Sequence, residues 1–241
     1  MLITSLNNDK VKELVKLKDK KYRDTNNIFF VEGNDLIEEA YKHNLLKHIY
    51  IISGYENKYP NIPCTYITTE IMKKISDMES ISNYFGICEK QTETPFGNRL
   101  LILDNIQDPG NLGTIIRSAV AFNFDTIVLS TDTVDIYNPK VVRSTKGMLF
   151  NINIIVRNLN TFMDTLDDYT IYGTDVTNGI DIKNENLPNK LAIVIGNEGN
   201  GIRREIKEKC HKFIYIGMDK QCESLNAGVS ASIIMYEVYH K

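Results

Sequence analysis

The sequence predicts an α/β protein in two parts, a small α/β domain followed by a larger one built on a parallel sheet. Three observations carry this prediction. Short apolar runs at 100–104, 126–130, 151–156, 169–174, 191–196 and 213–217 are separated mostly by segments long enough for a helix. Strands of that kind read as parallel and covered on both faces. Upstream, from Ile28 to about Lys90, shorter strand and helix patterns alternate. Between the two lies "QTETPFGNR", residues 91–99, which is polar, holds Pro95 and Gly97 and has no apolar periodicity, the composition of a linker. A chain of 241 residues with 42% hydrophobic side chains has enough apolar surface for one large core or two smaller ones.

The first element is "KVKELVKLKDKKYR", residues 10–23, an amphipathic helix with Val11, Leu14, Val15 and Leu17 on one face. It carries Lys10, Lys12, Lys16, Lys18, Lys20, Lys21 and Arg23 against Glu13 and Asp19, so it is either a solvated face or a contact for RNA phosphates. The strand "IFFVEG" follows, then a helix over 34–43, the strands "HIYII" and "CTYIT", a helix from Thr69 and the strand "YFGICEK". The small domain spans residues 1–95 and the larger one 99–241. No internal repeat or low-complexity tract interrupts either.

The larger domain opens on the strand "LLILD", followed by "NIQDPGNLGTIIRSA", residues 105–119. Pro109 and Gly110 make a turn, Asn111 caps, and Leu112, Ile115, Ile116 and Ala119 form the buried stripe of a helix. At 100° per residue Arg117 lies about 140° from Leu112 and is turned toward whatever sits above the strand end. In open α/β sheets that is where ligands bind. A second strand end, "LAIVIGNEGNGI", residues 191–202, sets Gly196, Gly199 and Gly201 around Asn197 and Glu198, where glycine permits positive φ and close approach of a ligand. Its spacing is not the dinucleotide fingerprint and it lacks the Lys-Ser/Thr ending of a phosphate loop, which weighs against a nucleotide-dependent dehydrogenase. A third, "FIYIGMDKQCESLNAGVSASIIMYEVYHK", leaves a strand at Ile216 and starts the last helix at Ser224 or Asn226. Its small residues Ala227, Gly228, Ser230, Ala231 and Ser232 suit core packing or a dimer seam equally.

Cys64, Cys88, Cys210 and Cys222 form no CxxC and accompany four histidines, which argues against a zinc site or a disulfide framework and for buried thiols. No apolar run reaches the length of a membrane span and the start has no signal-peptide pattern, which places the chain in the cytoplasm. The net charge of −3 means that any affinity for RNA must come from a local patch.

The motifs "DPGNLGTIIRSA", "IGNEGNGI" and "SLNAGVSASI", in this order, closely resemble the three signatures of the SpoU (TrmH-like) RNA 2′-O-ribose methyltransferases, and "FFVEGNDLIEEA" is similar to the start of the substrate-binding domain that many members carry. The resemblance implies a SPOUT-type catalytic domain with a deep trefoil knot, S-adenosylmethionine as methyl donor, a homodimer, and an RNA substrate without metal or membrane. It implies a catalytic set of Asn111, Arg117, Glu198, Ser224 and Asn226. It places the cofactor against Thr174, Ile195, Gly196, Asn197, Gly201, Ile216, Met218, Ser224 and Leu225. Arg143 and Lys146, with Lys18, Lys20, Lys21 and Arg23, are the expected RNA contacts. The separate N-terminal domain favours ribosomal over transfer RNA. A non-catalytic RNA-binding or assembly factor on the same fold is the alternative.

Overall fold

The computed structural model describes residues 2–241. The chain forms two compact units, one holding the chain through Thr92 together with Asp135–Phe150, the other holding Glu93–Val134 and Asn151–Lys241. The sequence suggests a single crossing near residues 95–99; in the structure Asp135–Phe150, with Arg143 and Lys146, packs with the first unit.

In chain order the first unit contains β1 (Leu2–Ile3), α1 (Asp9–Lys16), α2 (Lys20–Asn26), β2 (Ile28–Glu32), α3 (Asn34–Lys42), β3 (Leu46–Ile52), β4 (Cys64–Ile67), α4 (Thr69–Ile75) and β5 (Tyr84–Glu89). Its sheet runs β1-β4-β3-β5-β2, with β5 antiparallel to both neighbours. The basic segment is two helices and not one. Asp19, in an extended conformation, accepts a hydrogen bond from the Lys21 amide and starts a new helix. Val11, Leu14 and Leu17 still reach the core, alongside Phe30, Ile71, Met72 and Phe85.

The chain continues with β6 (Arg99–Leu103), α5 (Pro109–Ala121), β7 (Thr126–Ser130), α6 (Pro139–Ser144) in the segment that belongs to the first unit, β8 (Asn153–Arg157), α7 (Leu159–Met163), β9 (Thr170–Thr174), β10 (Ile180–Asp181), β11 (Leu191–Ile195), α8 (Arg204–Lys207), β12 (Lys212–Tyr215) and α9 (Ala227–Tyr239). The sheet of the second unit has seven strands in the order β10-β12-β9-β11-β6-β7-β8, every pair parallel. Its central strands β6 and β11 are buried along their apolar lengths, as expected of a sheet covered on both sides. Leu100 and Ile102 on one face meet Leu159, Phe162 and Met163 from α7 and Ile206 from α8.

The small residues of α9 serve packing inside this unit. A Cβ on Gly228 would lie 3.4 Å from Thr114 of α5, and the hydroxyls of Ser118 and Ser232 stand 2.7 Å apart. Because all seven strands point one way, the loops after β6, β9, β11 and β12 leave from the same edge.

Candidate active site

The loops after β9, β11 and β12 meet at a cleft of about 410 Å³. Thr174 comes from the end of β9, Ile195 from the end of β11, Gly196, Asn197 and Gly201 from the loop that follows, and Ile216, Met218, Ser224 and Leu225 from the loop before α9. All nine residues expected to hold a cofactor therefore line one cavity, together with Glu198. Apolar residues Ile195, Ile216 and Leu225 line it beside the polar Thr174, Asn197 and Ser224, the usual make-up of a small-molecule site. Asp175, Val176 and Lys207 also line it and were not anticipated; Asp175 and Lys207 stand 3.6 Å apart.

A directed chain of hydrogen bonds joins the three motifs at the edge of this cleft. The Asn226 side-chain oxygen accepts from the amides of Gly228 and Val229 and caps α9. Its orientation is thereby fixed, and its amide nitrogen donates to Asn111 Oδ1 at 2.9 Å. Asn111 in turn donates through Nδ2 to Glu198 Oε1, also at 2.9 Å. Glu198 further accepts from the backbone amides of Asp108 at 3.3 Å and Gln107 at 3.4 Å. Partial burial pushes its carboxyl up, but the Asn111 amide and the backbone N–H groups outweigh it and hold the group below the usual carboxylate range. Each amide in the chain has one orientation that satisfies both neighbours.

Asn111 is not the helix cap that the sequence suggests. Asp108 caps α5, accepting from the Asn111 amide at 2.8 Å with Pro109 as the first helical residue. An acidic residue before a helix-starting proline is the signal that identifies this arrangement. Relieved of capping, the Asn111 side chain is free to bridge Glu198 and Asn226.

The glycines of the 196–203 loop act on the backbone more than on a ligand. A Cβ on Gly196 would stand 2.2 Å from backbone atoms of Gly201 and Ile202. Its absence lets the loop close, with Asn197 and Gly201 exchanging both amide hydrogen bonds at 3.0 Å. Gly201 supplies the left-handed residue at φ 66°. Arg203 then anchors the loop. Its backbone N–H reaches Asp104 Oδ2 at 2.8 Å, its Nε and Nη2 reach Oδ1 at 2.8 and 2.6 Å, and Nη1 reaches Asp132 at 2.9 Å. Asp104, the last residue of "LLILD", is fully buried, so this pair ties the end of β6 to the loop after β11. No local pattern in the sequence announces Arg203.

Arg117 lies on α5 two turns beyond its start, exposed and without a hydrogen-bond or ion-pair partner among the described residues. It is not part of the cleft wall, whereas Ser224 is.

The expected RNA contacts, all in the first unit, divide. Arg23 is corrected outright: only 2% exposed, it donates through Nη1 to the carbonyls of Leu17 and Lys18 and through Nη2 to Asp135 at 2.5 Å. Burial demands a partner for a guanidinium, and a group so committed is not offered to phosphate. Lys18 reaches the Ser76 carbonyl at 2.7 Å, Lys20 pairs with Asp24 at 2.6 Å, and Arg143 holds Asp77 at 3.2 Å with Glu32 at 3.7 Å. Lys21 and Lys146 are exposed, Lys146 with a left-handed φ of 51°. The expectation of buried thiols holds for Cys88 alone; Cys64 and Cys210 are half-buried and Cys222 is exposed.

Comparison with known proteins adds the following. Residues 98–236 match the SpoU rRNA methylase family, and residues 8–85 match the MRM3-like substrate binding domain. The chain is 34% identical over 245 aligned positions to the 23S rRNA (guanosine(2553)-2'-O)-methyltransferase RlmP of Bacillus subtilis, covering 98% of each sequence. A crystal structure of an RNA 2'-O ribose methyltransferase superposes with a TM-score of 0.85 at 26% identity, covering 100% of this chain and 98% of that one. The AdoMet-bound rRNA methyltransferase from Sinorhizobium meliloti shares the fold, with a TM-score of 0.87 at 23% identity, covering 100% of this chain and 97% of that one.

Proposed function

The chain belongs to the SpoU rRNA methylase family, and from that premise we propose that it methylates a ribose 2′-hydroxyl of ribosomal RNA with S-adenosylmethionine as donor. The observation that carries the reading is the convergence of the three motifs. Nine residues expected around the donor line one cleft, and Asn226, Asn111 and Glu198 form a continuous hydrogen-bonded chain beside it. The cleft suits such a donor: apolar side chains for an adenine and the polar residues Thr174, Asn197 and Ser224 beside its polar edges. When bound, the donor supplies a methyl on a sulfonium, whose departure leaves a neutral thioether.

The residues of this chain do the rest. A ribose hydroxyl is a weak nucleophile, so the site must align it and stabilise the negative charge that grows on its oxygen. Arg117, exposed and unpaired among the described residues, takes that role: its guanidinium holds the acceptor phosphate and offers N–H groups to the ribose oxygen. It does not serve as the base, because a guanidinium keeps its proton in a protein. The hydroxyl proton leaves to a phosphate oxygen or water as the oxygen–carbon bond forms. Asn111 and Asn226 fix the loops, Glu198 anchors Asn111, and Ser224 stands in the cleft wall.

The proposal includes the deep trefoil knot, a cytoplasmic setting and a homodimer. Val229, Tyr236 and Tyr239 on α9, each 45–49% exposed, supply an apolar surface for self-association. Among the described residues no helix is long and apolar enough to cross a membrane. Calorimetry with S-adenosylmethionine, paired with labelled methyl transfer to ribosomal RNA, tests the reading. Binding with transfer supports it, whereas binding without transfer to any RNA favours an assembly factor. The guanosine named for the Bacillus subtilis relative is the first nucleotide to examine.

A further inference from the structure

The first unit holds a second cavity, about 210 Å³, that the proposed reaction does not use. It lies between α1–α2 and the sheet. Its lining includes Ile87 of β5, His48 and Tyr50 on one face of β3, and Tyr22 of α2, with the exposed Lys10 and Glu13 of α1 at the rim. This is smaller than the roughly 300–1,000 Å³ of sites for drug-sized ligands, so it suits one ring system.

Its aromatic groups are held in place. The His48 and Tyr50 rings lie 4.7 Å apart, tilted by 37°. His48 Nε2 is 2.9 Å from Thr65 Oγ1, and the Tyr50 ring meets the edge of Phe85 at 6.4 Å. Burial, with the nearby Lys10 ammonium, keeps the imidazole below its ordinary pKa and so neutral at pH 7. The cations around it are also distinctive. Within the basic segment Lys12, Lys18, Lys20 and Arg23 are taken up by Asp9, the Ser76 carbonyl, Asp24 and Asp135. Lys10, Lys16 and Lys21 carry no ion pair among the described residues. Two of these three adjoin the cavity, Lys10 at its rim and Lys16 with its ammonium 5.8 Å from the Tyr22 ring centroid.

Aromatic faces beside unpaired ammonium groups are what single-stranded nucleic acid requires, since bases stack on rings while the backbone follows positive charge. We propose that this cavity in the N-terminal unit takes one unstacked base of the RNA substrate, stacked against Tyr22 and His48 over the buried Tyr50, with Lys10 on the adjoining phosphate. Glu13 at the rim offers an acceptor to the amino group of such a base. The proposal rests on the reading of the chain as an RNA-modifying enzyme and adds a site outside the cleft.

The test uses the full-length protein and a fluorescent single-stranded oligoadenylate of about eight nucleotides, followed by anisotropy. Wild type should bind it; Tyr22→Leu, His48→Ala and the rim variant Lys10→Glu should each weaken binding about tenfold. In methyl-transfer assays the same variants should raise KM for RNA with kcat and S-adenosylmethionine affinity unchanged. Lys10→Glu alters an exposed side chain and leaves the fold intact, so a folding defect in the others does not decide the outcome. An oligonucleotide that wild type does not bind, or that Lys10→Glu and a folded His48→Ala bind as tightly as wild type, overturns the proposal. If wild type methylates RNA while these variants keep its KM, the cavity assignment falls alone. If wild type neither binds the donor nor transfers methyl, the enzymatic reading falls, and the anisotropy series still decides the cavity.

Discussion

Glu198 and Arg117 illustrate how neighbours divide labour among polar residues of similar appearance. Glu198 accepts from Asn111 and from backbone amides that require its charged form, so its contribution to loop order is present above the unfolded carboxyl value of about 4.3 and is lost as pH falls through its lower folded value. Affinity for S-adenosylmethionine should accordingly be flat from pH 7 to about 4.3 and decline only below that; a calorimetric series that falls already between pH 7 and 5 would place another group in control. Arg117 has no hydrogen-bond or ion-pair partner to lose among the described residues. Arg117→Ala should therefore reduce methyl transfer by at least about a hundredfold while donor affinity stays within a few-fold, as single-turnover rates and calorimetry will read. Arg23 behaves in the opposite manner. Its substitution by Ala leaves Asp135 without its partner and should cost about 3 kcal/mol of stability in urea titration, with no specific loss of RNA affinity once the protein is folded. The charge pattern of residues 10–23 does not distinguish these fates, because a list of lysines and arginines does not say which of them find carboxylates.

At the level of elements, the loop after β11 depends on a backbone crossing that only glycine allows. Gly196→Ala places a methyl group against the Gly201–Ile202 backbone, so the loop must open, and donor affinity should fall at least tenfold with the Asn197–Gly201 pairing lost. Unchanged affinity would remove this loop from the cleft. The six apolar runs of the second unit each hold a strand because a parallel sheet buried on both faces leaves a continuous apolar signature. The two-residue strands β1 and β10 are too short to leave one. Sequence alone leaves the start of the last helix between Ser224 and Asn226, of which Asn226 is the cap, and puts Asn111 in the capping place that Asp108 holds on α5, because neighbouring polar residues compete for the same free amides. The Arg203–Asp104 anchor spans 99 positions, and no periodicity reports a contact at that separation.

The whole molecule shows the same boundary between what periodicity encodes and what it does not. Val141, Val142, Leu149 and Phe150 are buried, yet no periodicity assigns them to either core, and Asp135–Phe150 joins the first unit although the strands on either side belong to the second. The proposed homodimer would use the apolar surface of α9. Wild type should then have the mass of a dimer by light scattering and Tyr236→Glu, at an exposed position, that of a folded monomer; a monomeric wild type would contradict the dimer, and a variant that stays dimeric would move the interface elsewhere. The central claim, that three loops of one parallel sheet hold a methyl donor beside an RNA ribose, is tested most directly by incubating ribosomal RNA with labelled S-adenosylmethionine and identifying the labelled nucleoside. Label on a ribose 2′-oxygen with wild type, and none with Arg117→Ala, is the predicted result. Label on a base, or equal transfer by both proteins, would contradict it.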